Sequence, residues 1–347
     1  MRPVRPWLTP TLLLCVLAAG ACGRGASPEA ATPARPAFAD QAEPWDTMPP
    51  SRIYGATPID NLQVTPVELD LAGIPTGWNG MRLAVLSDFE LSRWAANPAV
   101  VAAAVQEAVS ERPDIVVLLG GYVDRMADTA ALARVLAPLR GHLTLAVLGG
   151  QDVRTDSLEA AVTRTLTAAG ARVLRNASIP IIHDGDTAFV AGIDPHLDEK
   201  TWDDKRYILA QMANVGRMGL LLTHAPPLAV AAPHDAFPGV LAGNTVCGSV
   251  EVSGTPRLSW LTSTAIPGAL VPGTKRLFRF GRTVMFVTCG LGYGFLPVRF
   301  SAPPEIAMVT LHPVGGPKQA AEPKDTLSID SLVRVYQRRD TAPDSTP

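Results

Sequence analysis

The chain lacks an excess of charge of either sign. Its 347 residues carry 30 Lys and Arg against 32 Asp and Glu, a net charge of −2. That excludes both the basic footprint of a nucleic-acid-binding surface and the acidic excess of a disordered chain. Aromatic residues are also few, at 6% against a hydrophobic content of 47%, so the sizeable core that this length allows must be mainly aliphatic. No internal repeat of fixed period appears. The apolar run from Trp7 to Ala19 is too short for a confident membrane span.

That run instead reads as targeting. Arg2 and Arg5 form a basic start, and Leu17-Ala-Ala-Gly-Ala-Cys22 follows, a small-residue stretch ending in Cys that resembles a bacterial lipoprotein signal with Cys22 lipidated. The usual Leu three positions before the Cys is Ala19 here, and an ordinary secretory signal is the alternative. Residues 1–22 are therefore expected to be a signal. Residues 23–50, rich in Ala, Pro and Ser, cannot bury enough apolar surface to order themselves and suit a tether. The domain should run over 51–312. The tail over 313–347 is polar, with Ile329, Leu332, Val333 and Tyr336 at the spacing of one short helix. The expected location is the cell envelope, on a membrane through the N-terminal lipid. Without Cys15 and Cys22, two of the four cysteines remain. Cys247 and Cys289 can form a disulfide in an oxidising compartment or stand as two buried thiols.

Through the body, short β-branched runs alternate with helical patterns. Strands are expected at Arg82–Leu86, Ile115–Leu119, Leu143–Leu148, Arg172–Leu174, Phe189–Ile193, Gly219–Thr223, Val240–Ala242, Val284–Thr288 and Ile306–Leu311. Helices are expected over Pro98–Glu111, Thr129–Leu139, Ser157–Ala169 and Lys205–Val215. The alternation indicates α/β packing, and near-continuous apolar strands need cover on both faces. Two sheets face to face with helices outside is the simplest architecture.

Polar residues gather where the apolar runs stop. The loops read Ser87-Asp88-Phe89-Glu90, Gly120-Gly121-Tyr122-Val123-Asp124, Gly149-Gly150-Gln151-Asp152, Thr223-His224-Ala225-Pro226 and Gly243-Asn244-Thr245-Val246-Cys247-Gly248. Loops at the carboxyl ends of strands are where α/β sheets assemble sites. Their order and spacing resemble the calcineurin-like metallophosphoesterases, in particular an envelope-associated bacterial branch, over about residues 71–311. Val173-Leu-Arg-Asn176, Gly192-Ile-Asp194, Gly290-Leu-Gly292, Pro297-Val-Arg-Phe300 and Pro304-Glu-Ile306 add to the likeness. The resemblance implies a four-layer α-β-β-α sandwich around a two-metal phosphoric ester hydrolase site.

Carried over position by position, it also implies that most ligands are missing. Asp88 matches the first ligand, and Glu90 stands where a His is expected. Gly121 replaces the Asp that bridges the metals. Gly150 replaces an Asn ligand, and Gln151 the His that acts on the leaving group. His224 matches a lone His ligand, while Asn244 and Val246 replace the last two His. Two dications about 3.5–4 Å apart repel by roughly 18 kcal/mol at an effective dielectric near 20, and the bridging carboxylate supplies much of the offset. Asp88, Glu90, His224 and Asn244 are thus the candidate metal residues, in two half-sites without a bridge.

On this reading no catalytic residue is assigned. The chain is a catalytically impaired member that binds a ligand or protein partner in the envelope, with no nucleic acid. The rival is a working phosphodiesterase or phosphatase using a single divalent cation (Mn, Mg, Zn or Ca) at Asp88 and Glu90. His224 is expected to bond a neighbouring loop, Asp124 and Asp152 to organise turns, and the glycine pairs to allow close backbone approach.

Overall fold

A computed structural model describes residues 61–195, 202–244, 269–270, 276–294, 299 and 302–315. Signal, tether, the tail beyond Gly315, Val246 and Cys247 lie outside the described residues.

The apolar runs become strands, and those in the middle of each sheet are buried on both faces. β1 spans Gln63–Leu71, β2 Arg82–Leu86, β3 Ile115–Leu118, β4 Thr144–Ala146 and β5 Ala171–Val173. β6 and β7 cover Ala177–His183 and Asp186–Gly192, β8 Met218–Thr223 and β9 Gly239–Ala242. β10 is Ala269–Leu270, β11 Leu277–Phe280, β12 Thr283–Val287 and β13 Glu305–Pro313. Among the described residues they form two sheets, ordered β1-β13-β2-β3-β4-β5 and β10-β11-β12-β9-β8-β7-β6. β2 to β5 run parallel, with Leu83 opposite Ile115 and Val85 opposite Val117; β13 is antiparallel to β2. In the second sheet β7, β8, β9 and β12 are parallel. The fold is mixed α/β, as expected.

Strand periodicity decides where the core sits, because successive side chains point to opposite faces. Leu83, Val85, Ile115 and Val117 join Leu220, Leu222, Leu241 and Phe286 of the second sheet in one apolar cluster. The alternate residues Ala84, Leu86, Val116 and Leu118 pack instead with Val101 and Val105 of α1 (Asn97–Ser110), Leu132 and Leu136 of α2 (Thr129–Leu136), and Leu158 and Val162 of α3 (Asp156–Ala168). A third cluster joins Leu221, Val240 and Met285 to Leu209 and Met212 of α4 (Trp202–Ala213).

Local signals start these helices. Pro98 lies in the first turn of α1, where its missing N–H costs nothing. Thr155 caps α3 by accepting from the Leu158 amide at 3.3 Å, with Asp156 and Glu159 in the first turn. No helix among the described residues is long and apolar enough to cross a membrane.

Four strands were not anticipated: β1, β6, and the short β10 and β11 at the edge of the second sheet. β1 contains Pro66, which counts against a central strand, and it is indeed an edge strand. β6 pairs with β7 through Asp184 and Gly185, at φ 46° and 81°; this two-residue Asp-Gly turn with positive φ is the form that matches strand twist.

Candidate functional site

All five loops leave their strands at the carboxyl end, and backbone hydrogen bonds tie them together. The amides of Asp88 and Glu90 donate to the carbonyls of Gly120 and Gly121, both at 2.9 Å. The Gly292 amide donates to the Asp88 carbonyl at 2.7 Å, and the Gly243 amide to the His224 carbonyl at 3.2 Å. The glycine pairs permit close backbone approach: a Cβ on Gly120 would lie 2.4 Å from the Gly149 nitrogen, and one on Gly149 would lie 2.4 Å from the Gly121 nitrogen. Gly150, by contrast, faces open space.

Asp88 and Glu90 do not share the site through strand alternation, as spacing by two would suggest. β2 ends at Leu86, and both residues adopt left-handed backbone, φ 54° and 50°; Asn244 does so too, at 63°. Such conformations cost about 1–3 kcal/mol each and persist only where the surroundings enforce them. Here the paired loops do so.

The four candidate residues come together. A Cβ on Gly121 would lie 3.2 Å from both Asp88 Oδ1 and His224 Cε1, so Gly121 sits between the two. The Asn244 amide donates to Asp88 Oδ1 at 3.2 Å and Oδ2 at 3.1 Å, and Ser87 Oγ donates to Oδ2 at 2.8 Å. Glu90 is held at both oxygens. Gln151 Nε2 donates to Oε1 at 2.9 Å, and Arg93 Nε donates to Oε2 at 2.7 Å. Burial raises Asp88 to about 6, against the Ser87 bond and the Arg299 charge. Glu90 is likewise raised by burial, against the Arg93 charge.

His224 Nδ1 lies 2.7 Å from the Leu119 carbonyl. A carbonyl only accepts, so Nδ1 carries the proton and Nε2 keeps its lone pair. Burial lowers the imidazole pKa, favouring this neutral form.

Asp152 organises the centre. Its carboxylate accepts from the amides of Gly121, Tyr122, Val123 and Gly149 at 2.7–3.1 Å. Burial raises it to about 6, against these amides and the neighbouring His224. Asp124 is mostly buried, and its Oδ1 has no hydrogen-bond partner among the described residues.

Sequence reading missed two cations. Arg93 had no family position to suggest it, although its separation of three from Glu90 was visible. Arg299 stands in the Pro-Val-Arg-Phe stretch. It donates to the carbonyls of Cys289, Gly292, Ala302 and Pro303 at 2.7–3.3 Å, and its charge acts on Asp88. Burial pulls its pKa down to about 10. Cys289, next in chain to the Gly290 that packs on Asp88, is disulfide-bonded. Its partner lies outside the described residues.

No family model matches the chain. Among curated proteins it is 27% identical over 247 residues to the uncharacterized metallophosphoesterase YkuE of Bacillus subtilis (strain 168), covering 69% of this chain and 81% of that one. That similarity supports the metallophosphoesterase family. Among solved structures, the phosphopantetheinyl hydrolase of Mycobacterium tuberculosis aligns with 70% of this chain and 99% of its own at 11% identity, but the TM-score of 0.36 is too low to define a shared fold.

The metallophosphoesterase resemblance implies metals, and the side chains present do not fit them. Among the described residues, no group of three or more His, Cys, Asp or Glu could hold a metal ion. The carboxylate oxygens of Asp88 and Glu90 each accept a hydrogen bond from a protein donor. A dication about 4 Å from the Arg93 guanidinium would meet roughly 8 kcal/mol of repulsion at an effective dielectric near 20, before solvent screening.

Proposed function

We propose that this chain is a metallophosphoesterase-family protein without metal-dependent catalysis, which binds a ligand or protein partner in the cell envelope. The observation that carries the reading is the internal use of the carboxylates: Glu90 by Arg93 and Gln151, Asp88 by Ser87 and Asn244. A hydrolase of this class needs those carboxylates to hold a cation that activates water, and Glu90 is instead paired with the Arg93 guanidinium. Gln151 cannot supply the proton that a His in its place would give a leaving group.

The α-β-β-α arrangement of the family is supported by the three apolar clusters, one shared by both sheets and one on the helical side of each. Attachment through Cys22 rests on the basic start, the apolar run and the small residues before that cysteine. Cys247 is the proposed partner of Cys289.

The second reading is a single-metal phosphoric ester hydrolase, favoured by Asp88 and His224 facing each other across Gly121. Elemental analysis of protein purified without chelator, with hydrolysis of an aryl phosphodiester in Mn²⁺ or Zn²⁺, separates the two. The proposed reading expects substoichiometric metal and no turnover above buffer. Stoichiometric metal with turnover abolished in Asp88→Ala establishes the hydrolase.

A further inference from the structure

We propose that Arg93 is the resident counter-charge of the site: its guanidinium stands, toward Glu90, where a cation would otherwise be bound, and keeps divalent metals out. This rests on the reading that the natural chain holds no metal.

Three observations converge on Arg93. First, the geometry is built by the backbone. The Arg93 amide donates to the Glu90 carbonyl at 2.9 Å, closing a turn that returns Nε to Glu90 Oε2 at 2.7 Å. The turn is anchored in turn by Asn97, whose Nδ2 donates to the same Glu90 carbonyl at 2.7 Å. Second, the carboxylate it meets is desolvated. The Glu90 side chain is only 6% exposed, whereas that of Arg93 is 30% exposed, so Glu90 needs a partner that can reach it from the outside. Third, the charges balance without metal. Asp88 and Glu90 face the guanidinium groups of Arg93 and Arg299, while Asp152 is served by backbone amides.

A dication at Glu90 would have to displace Arg93 or sit against it. Neutralising Arg93 therefore exposes a latent site at Glu90 and Asp88 for a hard divalent cation such as Mg²⁺, which is held by few protein oxygens plus water. Arg93→Lys keeps the charge and keeps metals out.

The test is Mn²⁺ and Mg²⁺ titration of the full chain, followed by thermal unfolding and calorimetry, in the natural protein, Arg93→Gln, Arg93→Lys and Arg93→Gln with Glu90→Gln. Arg93→Gln is expected to bind Mn²⁺ at least about tenfold more tightly than the natural chain, the factor that loss of one unit charge near a dication gives even in bulk water. Its Tm should rise in Mn²⁺, and both the Arg93→Lys and the double variant should lose the response. A folded Arg93→Gln that responds no more than the natural chain overturns the proposal while leaving the function reading intact. Stoichiometric metal in the natural chain overturns both. Should Arg93→Gln fold poorly, Mn²⁺ in the refolding buffer is expected to restore it, and no restoration counts against the proposal.

Discussion

Replacing Asp152 by Ala removes one buried carboxylate and leaves four backbone donors, on Gly121, Tyr122, Val123 and Gly149, without their acceptor. Each unsatisfied buried donor costs about 1–3 kcal/mol, which sets an upper bound for four. Two effects offset it. A carboxyl raised from 3.8 to about 6 carries an ionisation penalty of about 3 kcal/mol at neutral pH, and the substitution removes that penalty. The glycine loops can also relax toward water. A net loss of about 3–5 kcal/mol is expected. Asp152→Asn keeps one acceptor oxygen but turns an amide N–H toward two of the donors, and should lose about 2–3 kcal/mol. The assay is urea unfolding at neutral pH, followed by far-ultraviolet circular dichroism and by tryptophan fluorescence, to which the buried Trp78 contributes. Asp124→Ala is the control: Asp124 Oδ1 has no hydrogen-bond partner among the described residues, and the change should stay below about 1 kcal/mol. An Asp152→Ala protein that unfolds cooperatively within about 1 kcal/mol of the natural chain would refute the idea that this carboxylate holds the loops together.

Asp88 and Asp152 both rise to about 6 on folding, so the stability each contributes is fully present below its ordinary value of 3.8 and lost as pH rises through 6. The natural chain should therefore gain in urea midpoint relative to Asp88→Asn as pH falls from 7 to 5; an unchanged difference would show that Asp88 is not held in this way. Gly290→Ala should lose more than about 2 kcal/mol, since φ is +65° and the new Cβ would lie 2.7 Å from Asp88 Cβ. Gly150→Ala has open space and should lie within about 0.5 kcal/mol of the natural chain in the same unfolding assay. Chelator should leave the Tm of the natural chain unchanged by calorimetry, because the Asp88 and Glu90 oxygens have protein donors already.

Particular elements show how much was legible in advance. β2, β3 and β8 could be placed to within a residue or so because short apolar runs that stop at polar or glycine residues are too short for a buried helix. β1 was hidden by Pro66, which only an edge position tolerates. The β6–β7 hairpin carried its signal in Asp184-Gly185, but the strand before the turn includes Pro180 and polar residues that masked it. The expected neighbour for His224 is the Leu119 carbonyl, and the organising role of Asp152 is its four amide bonds.

What the sequence determines by itself is the alternation of strands and helices, the loops in which polar residues collect, and the residue types those loops hold, because residue identity and local spacing suffice for all three. Only the tertiary structure decides what the carboxylates among them do. Asp88 and Glu90 reach the site through left-handed backbone enforced by a neighbouring loop, and their partners come from positions 93, 151, 244 and 299. Charge balance in a desolvated pocket depends on distances between segments far apart in the chain, and those distances exist only once the two sheets have packed.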